Sequence, residues 1–301
     1  MKLGPLVRIA VSAALLGLIA WAVDGAGLWR RLGNADLRWF ALAFAMGVLA
    51  NVVSAWRWLA ISRHLGLTAT AAVLLPAYGR NVTINTILPG ATLGGDAYRA
   101  LVLQRLGNPV IRAVASVAID RLSGLWALFV ISWLAWLALA ASETATVAPA
   151  ALNTHLAALG AAVAAPWAAG ALTSRLSLEP GGWPSRFLRL LSETARLTQL
   201  TFVPSVVVQA AAIAALYAAL CAVSPDVPAL TLVAVSAPVF LAAALPLSVG
   251  GFGTREAALA AYWLLAGLPA DIAVAGALLH GLATTLQGAL WAPLFLLKRR
   301  K

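Results

Sequence analysis

Charge is scarce in this chain. Only 21 Lys and Arg and 10 Asp and Glu occur among 301 residues, against 62% hydrophobic residues and a mean hydropathy of +0.91. Water does not solvate such a surface, so a soluble globular protein is excluded. Lysine occurs only as Lys2, Lys298 and Lys301, none of them in a Gly-rich loop. A Walker A loop is therefore absent, and the chain does not drive transport by hydrolysing ATP itself. Cys221 is the sole cysteine, which excludes an internal disulfide and any C-x-x-C site; it falls in an apolar run, where it packs. His64, His155 and His280 are scattered, there is no H-E-x-x-H, and no aspartates cluster. No metal set, nucleophile pair or nucleotide loop is visible, so no cofactor is implied and the chain reads as a non-enzyme.

What the sequence does hold is long apolar runs. A bilayer core needs roughly 20 apolar residues per helix. The runs 6–23, 37–61, 114–141, 148–172, 202–223 and 272–297 satisfy that requirement. The first resembles the apolar part of a signal peptide, but no small-residue cleavage pattern follows and a second run comes soon after, so it reads as a retained helix. Two further regions, 73–103 and 230–268, are apolar but interrupted. The expectation is one all-α domain over 1–301, a polytopic transmembrane helix bundle of about eight spans. Trp39, Trp133, Trp136, Trp183 and Trp291 lie near span ends as interfacial belts. Residues 183–200 alternate Trp183, Phe187, Leu190, Leu191 and Leu197 with Arg186, Arg189, Glu193 and Arg196. They read as the amphipathic part of a cytoplasmic connector over about 175–200.

The net charge of +11 lies mostly between the apolar runs rather than along a stripe with exposed aromatics. Anionic lipid, not nucleic acid, is the partner this implies. Arg63, Arg105, Arg112, the basic residues of 175–196 and the 298–301 tail share one face if they are cytoplasmic. Both termini are then expected inside, in a bacterial-type plasma membrane. That topology requires 73–103 to enter and leave on the cytoplasmic side and 257–268 to be a short crossing. The loop 24–38, with Arg30, Arg31 and Arg38, is the exception that falls outside. Arg57, between Trp56 and Trp58, is expected to snorkel to the interface.

The two interrupted regions resemble each other. One reads Leu88-Pro89, then Gly94-Gly95-Asp96-Ala97-Tyr98-Arg99; the other reads Leu245-Pro246, then Gly250-Gly251-Phe252-Gly253-Thr254-Arg255. Paired Gly/Pro-interrupted segments in two halves of a chain point to the binding site of repeat-built transporters. Two unrelated helix breaks are the plainer alternative. Glycine pairs would free backbone N–H groups at the start of the following half-helix, and such ends attract anions. An arginine one turn further in would add a bidentate grip on phosphate. Ionisable residues at membrane depth come as Asp96 with Arg99, Asp120 with Arg121, and Arg255 with Glu256. Neighbours in sequence do not share a helix face, so ion pairs are expected between segments. Asn81 and Asn85 either line the same cavity or satisfy carbonyls freed near Pro89, and the second reading is the default. His280 and Gln287, two turns apart on the last span, are candidates to face that cavity too, although a lone buried histidine is more often simply hydrogen-bonded.

These motifs in this order, with Asn85, L-P-G-x-x-x-G-G-D-x-x-R from Leu88 to Arg99, Asp120-Arg121 and P-x-S-x-G-G-x-G-x-R-E from Pro246 to Glu256, carry a family resemblance. The chain resembles the lysylphosphatidylglycerol synthase transmembrane-region family of flippase-like proteins over nearly its whole length. In full-length synthases this region precedes a soluble aminoacyl transferase domain, and the expectation is that this sequence stops before any such domain. The resemblance implies movement of a lipid between leaflets, not lysyl transfer. It nominates Asn85, Gly94, Gly95, Asp96, Arg99, Asp120, Arg121, Ser248, Gly250, Gly251, Gly253, Arg255 and Glu256 as site residues. The family's second motif usually begins with glutamate where Asp120 stands, which shortens the reach of that side chain. Two other readings remain: an intramembrane transferase with Asp96, Asp120 or Glu256 as base and arginines on a diphosphate, or a non-catalytic partner of a separately encoded lipid-modifying enzyme.

Overall fold

The computed structural model describes residues 5–22, 25–87, 92–141, 154, 156–164, 168, 171, 183–245 and 248–296, and for 5, 8, 19–22, 87, 92–93 and 183–200 the backbone alone. Among these residues every regular element is helical. They are α1 (Pro5–Ala22), α2 (Gly25–Gly33), α3 (Leu37–His64), α4 (Ala71–Ile87), α5 (Thr92–Arg105) and α6 (Val110–Ala140). After further helical backbone at 156–164 come α7 (Trp183–Cys221), α8 (Ala229–Ala244), α9 (Thr254–Leu265) and α10 (Ala270–Trp291), with a closing 3-10 turn, Ala292–Phe295. Among the described residues four stretches are long and apolar enough to cross a membrane: Leu37–His64, Val110–Ala140, Thr201–Cys221 and Ala270–Phe295. They coincide with four of the six expected runs. Of the run 148–172 only 154, 156–164, 168 and 171 are among the described residues.

Local chemistry sets the helix ends. Asp36 caps α3 by accepting the Arg38 N–H at 2.8 Å, and Gly66, at φ +68°, turns the chain out of its far end. Pairings along the helices then give their directions. Ala43 clusters with Ala218 and Ala219 while Arg57 reaches Ser205, so α3 and α7 are antiparallel. Gln209 donates to the Gly124 carbonyl at 3.0 Å and Trp136 shares a core with Leu216 and Leu220, so α6 and α7 are parallel. Two parallel helices in succession need a return pass between them. The 156–164 helix runs that way, since Trp133 Nε1 donates to the Leu156 carbonyl and Trp126 Nε1 to that of Val163. Gly276 packs on Leu220, whereas Asn51 Nδ2 donates to Gln287 Oε1 at 2.8 Å, so α10 runs parallel to α3.

The interrupted regions form two hairpins. Thr83 donates to the Gly288 carbonyl at 2.8 Å and Arg80 to that of Leu294, so α4 runs inward, antiparallel to α10, and stops near the level of Asn51. Helix α5 returns beside it. Asn108, just after α5, takes the Thr68 N–H at 2.7 Å and donates to the Thr68 carbonyl at 3.0 Å, tying the exit of this hairpin to its start. Helices α8 and α9 do the same from the opposite end. There α8 follows the end of α7, and α9 leads into α10, whose Asp271 pairs with Arg31 of α2 at 2.5 Å beside the Val223 carbonyl.

Several expectations change. Segment 257–268 is not a crossing: α9 has 12 residues, about 18 Å of rise, and rejoins the end from which α8 entered. Segment 24–38 is not a loop but contains α2. Residues 183–200 are helical but continuous with the span that follows, not a separate helix. Trp136 is core rather than belt, at 2% exposure, because it faces α7 and α8 instead of lipid. The two glycine pairs also differ. Gly250, Gly251 and Gly253 have φ of +58°, +80° and +89°, a conformation that only glycine adopts without strain. Gly94 and Gly95 are helical, within the first turn of α5. Gly95 is small for a packing reason, since a Cβ there would fall on the side-chain amides of Asn81 and Asn85. Arg99 is thus in the second turn of its helix and Arg255 in the first.

Candidate functional site

The end of α4 and the turn before α9 meet around a cavity of about 280 Å³. Helix α4 supplies Tyr78, Asn81, Asn85 and Thr86 to its wall; the α8–α9 tip supplies Ser248, Gly250 and Gly251. Asn51 of α3, Thr284 and Thr285 of α10 and Arg121 of α6 complete the polar lining. Asn51 lies 14 residues into α3, about 21 Å along a 28-residue helix, so the cavity is at membrane depth. Asn81 and Asn85 are cavity residues after all, which corrects the default reading. Asn85 Nδ2 donates to Asn81 Oδ1 at 3.3 Å, and Asn85 Oδ1 is buried without a partner among the described residues. An unmatched buried acceptor costs about 1–3 kcal/mol, which a ligand donor would recover.

Behind this cavity lies a chain of charges. Arg57 Nε meets Asp120 Oδ1 at 2.9 Å, Arg99 meets Asp120 Oδ2 at 2.7 Å and Asp96 Oδ1 at 2.8 Å, and Arg121 Nε meets Asp96 Oδ2 at 2.9 Å. Arg57 also donates to Ser205 and to the Asp120 carbonyl. Buried at the centre of the bundle, it does not snorkel: Asp120 is 2% exposed and offers a stronger partner than the interface. Asp120 and Arg121, adjacent in sequence, point to different partners as expected. The Arg99 guanidinium is wholly buried between Trp58 and Tyr78, each ring centroid 5.1 Å away. Tyr78 therefore stands between Arg99 and the cavity. Arg121, 44% exposed and lining the cavity, is its cation. Three arginines against two aspartates leave the network with one excess positive charge.

The second tip uses its charges differently. Glu256 Oε2 accepts the Gly253 N–H at 2.5 Å and Oε1 accepts from Arg255 at 3.0 Å. Sequence neighbours do pair here, because the Glu256 carboxylate folds back over the start of α9 to cap it and so comes beside Arg255. Arg255 is buried, stacks over Phe252 at 5.5 Å and keeps an Nε without a partner among the described residues. Its guanidinium passes over Gly281, where any Cβ would collide with it. Neither Arg255 nor Glu256 lines the cavity. Ser248 does, and its hydroxyl shares a hydrogen bond with Thr254 at 2.9 Å. Gly253 is held against Leu15 and the Ser12 carbonyl of α1. His280 packs on Phe240, 6.2 Å between centroids, and Gln287 is reached through Asn51.

The structure thus brings Asn85, Arg121, Ser248, Gly250 and Gly251 to the cavity. It places Gly94, Gly95, Asp96, Arg99, Asp120, Gly253, Arg255 and Glu256 in the shell that shapes it. Asn51, Tyr78, Thr86, Thr284 and Thr285 join the wall without belonging to any of the sequence motifs. Asn51 has a signal, an amide inside the apolar run 37–61; the threonines have none, because a threonine in a span is commonly bonded to its own helix, as Thr284 is to the His280 carbonyl at 2.9 Å.

The sequence model of the lysylphosphatidylglycerol synthase TM region matches residues 6–292, nearly the whole chain. The chain belongs to this family. Both hairpins, the ion network and every residue of the cavity wall fall inside the matched region. No curated protein and no solved structure matches the chain. Membership in this family, with four apolar helices long enough to span, makes the chain an integral membrane protein with a lipid-related function.

Proposed function

We propose that the chain is a flippase-like lipid transporter, and that a phospholipid or other anionic lipid passes its headgroup through the cavity between the hairpin tips. The single observation that carries this reading is a polar cavity at membrane depth with one arginine, Arg121, in its wall and no carboxylate among its described lining residues. A charged side chain at that depth is costly unless it serves a ligand or a partner. Arg121 has both. Its Nε and Nη2 hold Asp96 in a bidentate grip with distances of 2.9 to 3.2 Å. A phosphodiester presents the same pair of oxygens, so the headgroup displaces Asp96 from Arg121 while Arg99 retains it. The one excess positive charge is then neutralised by the single negative charge of the phosphodiester.

In this reading the protein is a membrane-embedded transporter rather than an enzyme, with lipid as its partner, and a separately encoded lipid-modifying enzyme as a further one. The four apolar spans, α1, a pass expected within 148–172 and the two half-depth hairpins would make eight membrane elements. The hairpins, entering from opposite ends and meeting at one site, are related halves of an internal repeat. Residue 5 of α1, the ends of α3 and α5 and the start of α6 lie toward one end, where Arg63, Arg105 and Arg112 mark the cytoplasmic face of a bacterial inner membrane.

The test is headgroup accessibility of fluorescent anionic and zwitterionic phospholipids in proteoliposomes of the full chain. Exchange of at least the anionic lipid well above protein-free vesicles is expected. A protein correctly folded and inert across the panel would turn attention to the transferase or the partner reading.

A further inference from the structure

A second cavity, of about 260 Å³, adjoins the first. Its walls are Val52, Ala55 and Trp56 of α3, Leu75, Pro76 and Gly79 of α4, and Trp291 and Leu294 beyond, all apolar. The two cavities share Asn51 and Tyr78. Val52 and Trp56 are exposed on the flank of α3, which is a membrane span, so the groove opens sideways into lipid rather than at an aqueous end. Its depth depends on Gly79, where a Cβ would run into Leu294 and approach Trp291 at 3.2 Å. Pro76 lies inside α4 at the same wall and removes one backbone donor from it. Tyr78, the partition between polar and apolar chambers, is fixed by its stack on Arg99.

We propose that the two cavities are one amphiphile site: a single phospholipid molecule places its headgroup at Arg121 and one acyl chain in the groove between α3 and α4, with its glycerol region passing Tyr78 and Asn51. This rests on the lipid-transport reading and adds which face of the bundle the lipid uses. A headgroup with no apolar outlet would strand its chains in a polar chamber; an apolar groove open to the bilayer, sharing two wall residues with that chamber, is what a molecule with one end of each kind requires. Arg99, stacked on Tyr78, then holds in place the partition that both ends of the lipid touch.

The probe is phosphatidylglycerol carrying a diazirine in one acyl chain, photolysed with the full chain in vesicles, with adducts mapped by mass spectrometry. Adducts should concentrate on the groove walls at Ala55, Leu75 and Trp291. Val52→Trp, which fills the mouth from an exposed position, should lower groove adducts by about fourfold or more, the equivalent of one methylene's burial, while adducts on other lipid-facing helices stay constant. Arg121→Gln should lower the same groove adducts, because headgroup and chain belong to one molecule. Adducts spread evenly over exposed helix faces, or groove adducts indifferent to Val52→Trp, would overturn the chain seat. Groove adducts indifferent to Arg121→Gln would overturn the single-molecule site. The readout needs no transport, so groove adducts in a protein that moves no lipid would sink the transport reading and leave the chain seat standing.

Discussion

Asp120→Leu is expected to be the most destabilising single substitution in the ion network, by about 3–5 kcal/mol. Asp120 is the only acid among the described residues that touches two buried arginines, Arg57 at 2.9 Å and Arg99 at 2.7 Å. Without it Arg99 falls back on Asp96, but Arg57 is left with the Ser205 hydroxyl and a main-chain carbonyl at 5% exposure. A guanidinium at that depth cannot shed its charge, and leucine supplies no replacement acceptor. Asp120→Asn keeps one oxygen for Arg57 and should cost less. Thermal unfolding in detergent, read by size-exclusion fluorescence, separates the cases. Asp120→Leu should lose its monodisperse peak at temperatures where the wild type keeps it. A melting temperature close to wild type would show that the network is not what holds α3, α5 and α6 together.

Arg121→Gln should do the reverse, leaving the fold intact and removing function. Its pair with Asp96 is 44% exposed on the arginine side, and exposed ion pairs contribute little to stability, about 0–1 kcal/mol. What it supplies is the cation in the cavity wall. Loss of a charge-assisted phosphate contact of about 1.5–3 kcal/mol should slow anionic lipid transfer roughly ten- to a hundredfold. Zwitterionic lipid, if moved at all, should lose less. The check is transfer rate at matched folded incorporation; a rate unchanged from wild type would remove Arg121 from the site. Arg99→Ala and Arg255→Ala are poor substitutes for this experiment. Both side chains are buried and bonded away from the cavity, so their loss mixes folding with function.

The helix bundle and the two hairpins are legible in the sequence because both rest on strong local signals. Apolar runs of about 20 residues have no soluble interpretation, and Gly250, Gly251 and Gly253 do adopt the conformation reserved for glycine. Roles within the site are less legible. The Gly94-Gly95 pair looks the same in sequence as Gly250-Gly251, yet it is helical and its Gly95 serves close packing against Asn81 and Asn85; only the neighbouring helix decides which use a glycine has. The two tryptophan neighbours of Arg57 point to the interface, whereas the structure gives it a partner 63 residues away. Long-range pairing of that kind leaves no trace in spacing. By motif Arg99 and Arg255 stand ahead of Arg121 as phosphate ligands, and only burial shows that Arg99 braces the wall while Arg121 forms it.

The most direct test of the cavity as the lipid path is to fill it. Thr284 lines the polar chamber from the rigid helix α10, and its hydroxyl is bonded within its own helix, so Thr284→Trp blocks the space without breaking the ion network. In proteoliposomes with matched amounts of folded protein, wild type should expose inner-leaflet fluorescent anionic lipid to an external quencher and Thr284→Trp should approach the protein-free rate. Equal rates for the two proteins would contradict passage through this cavity.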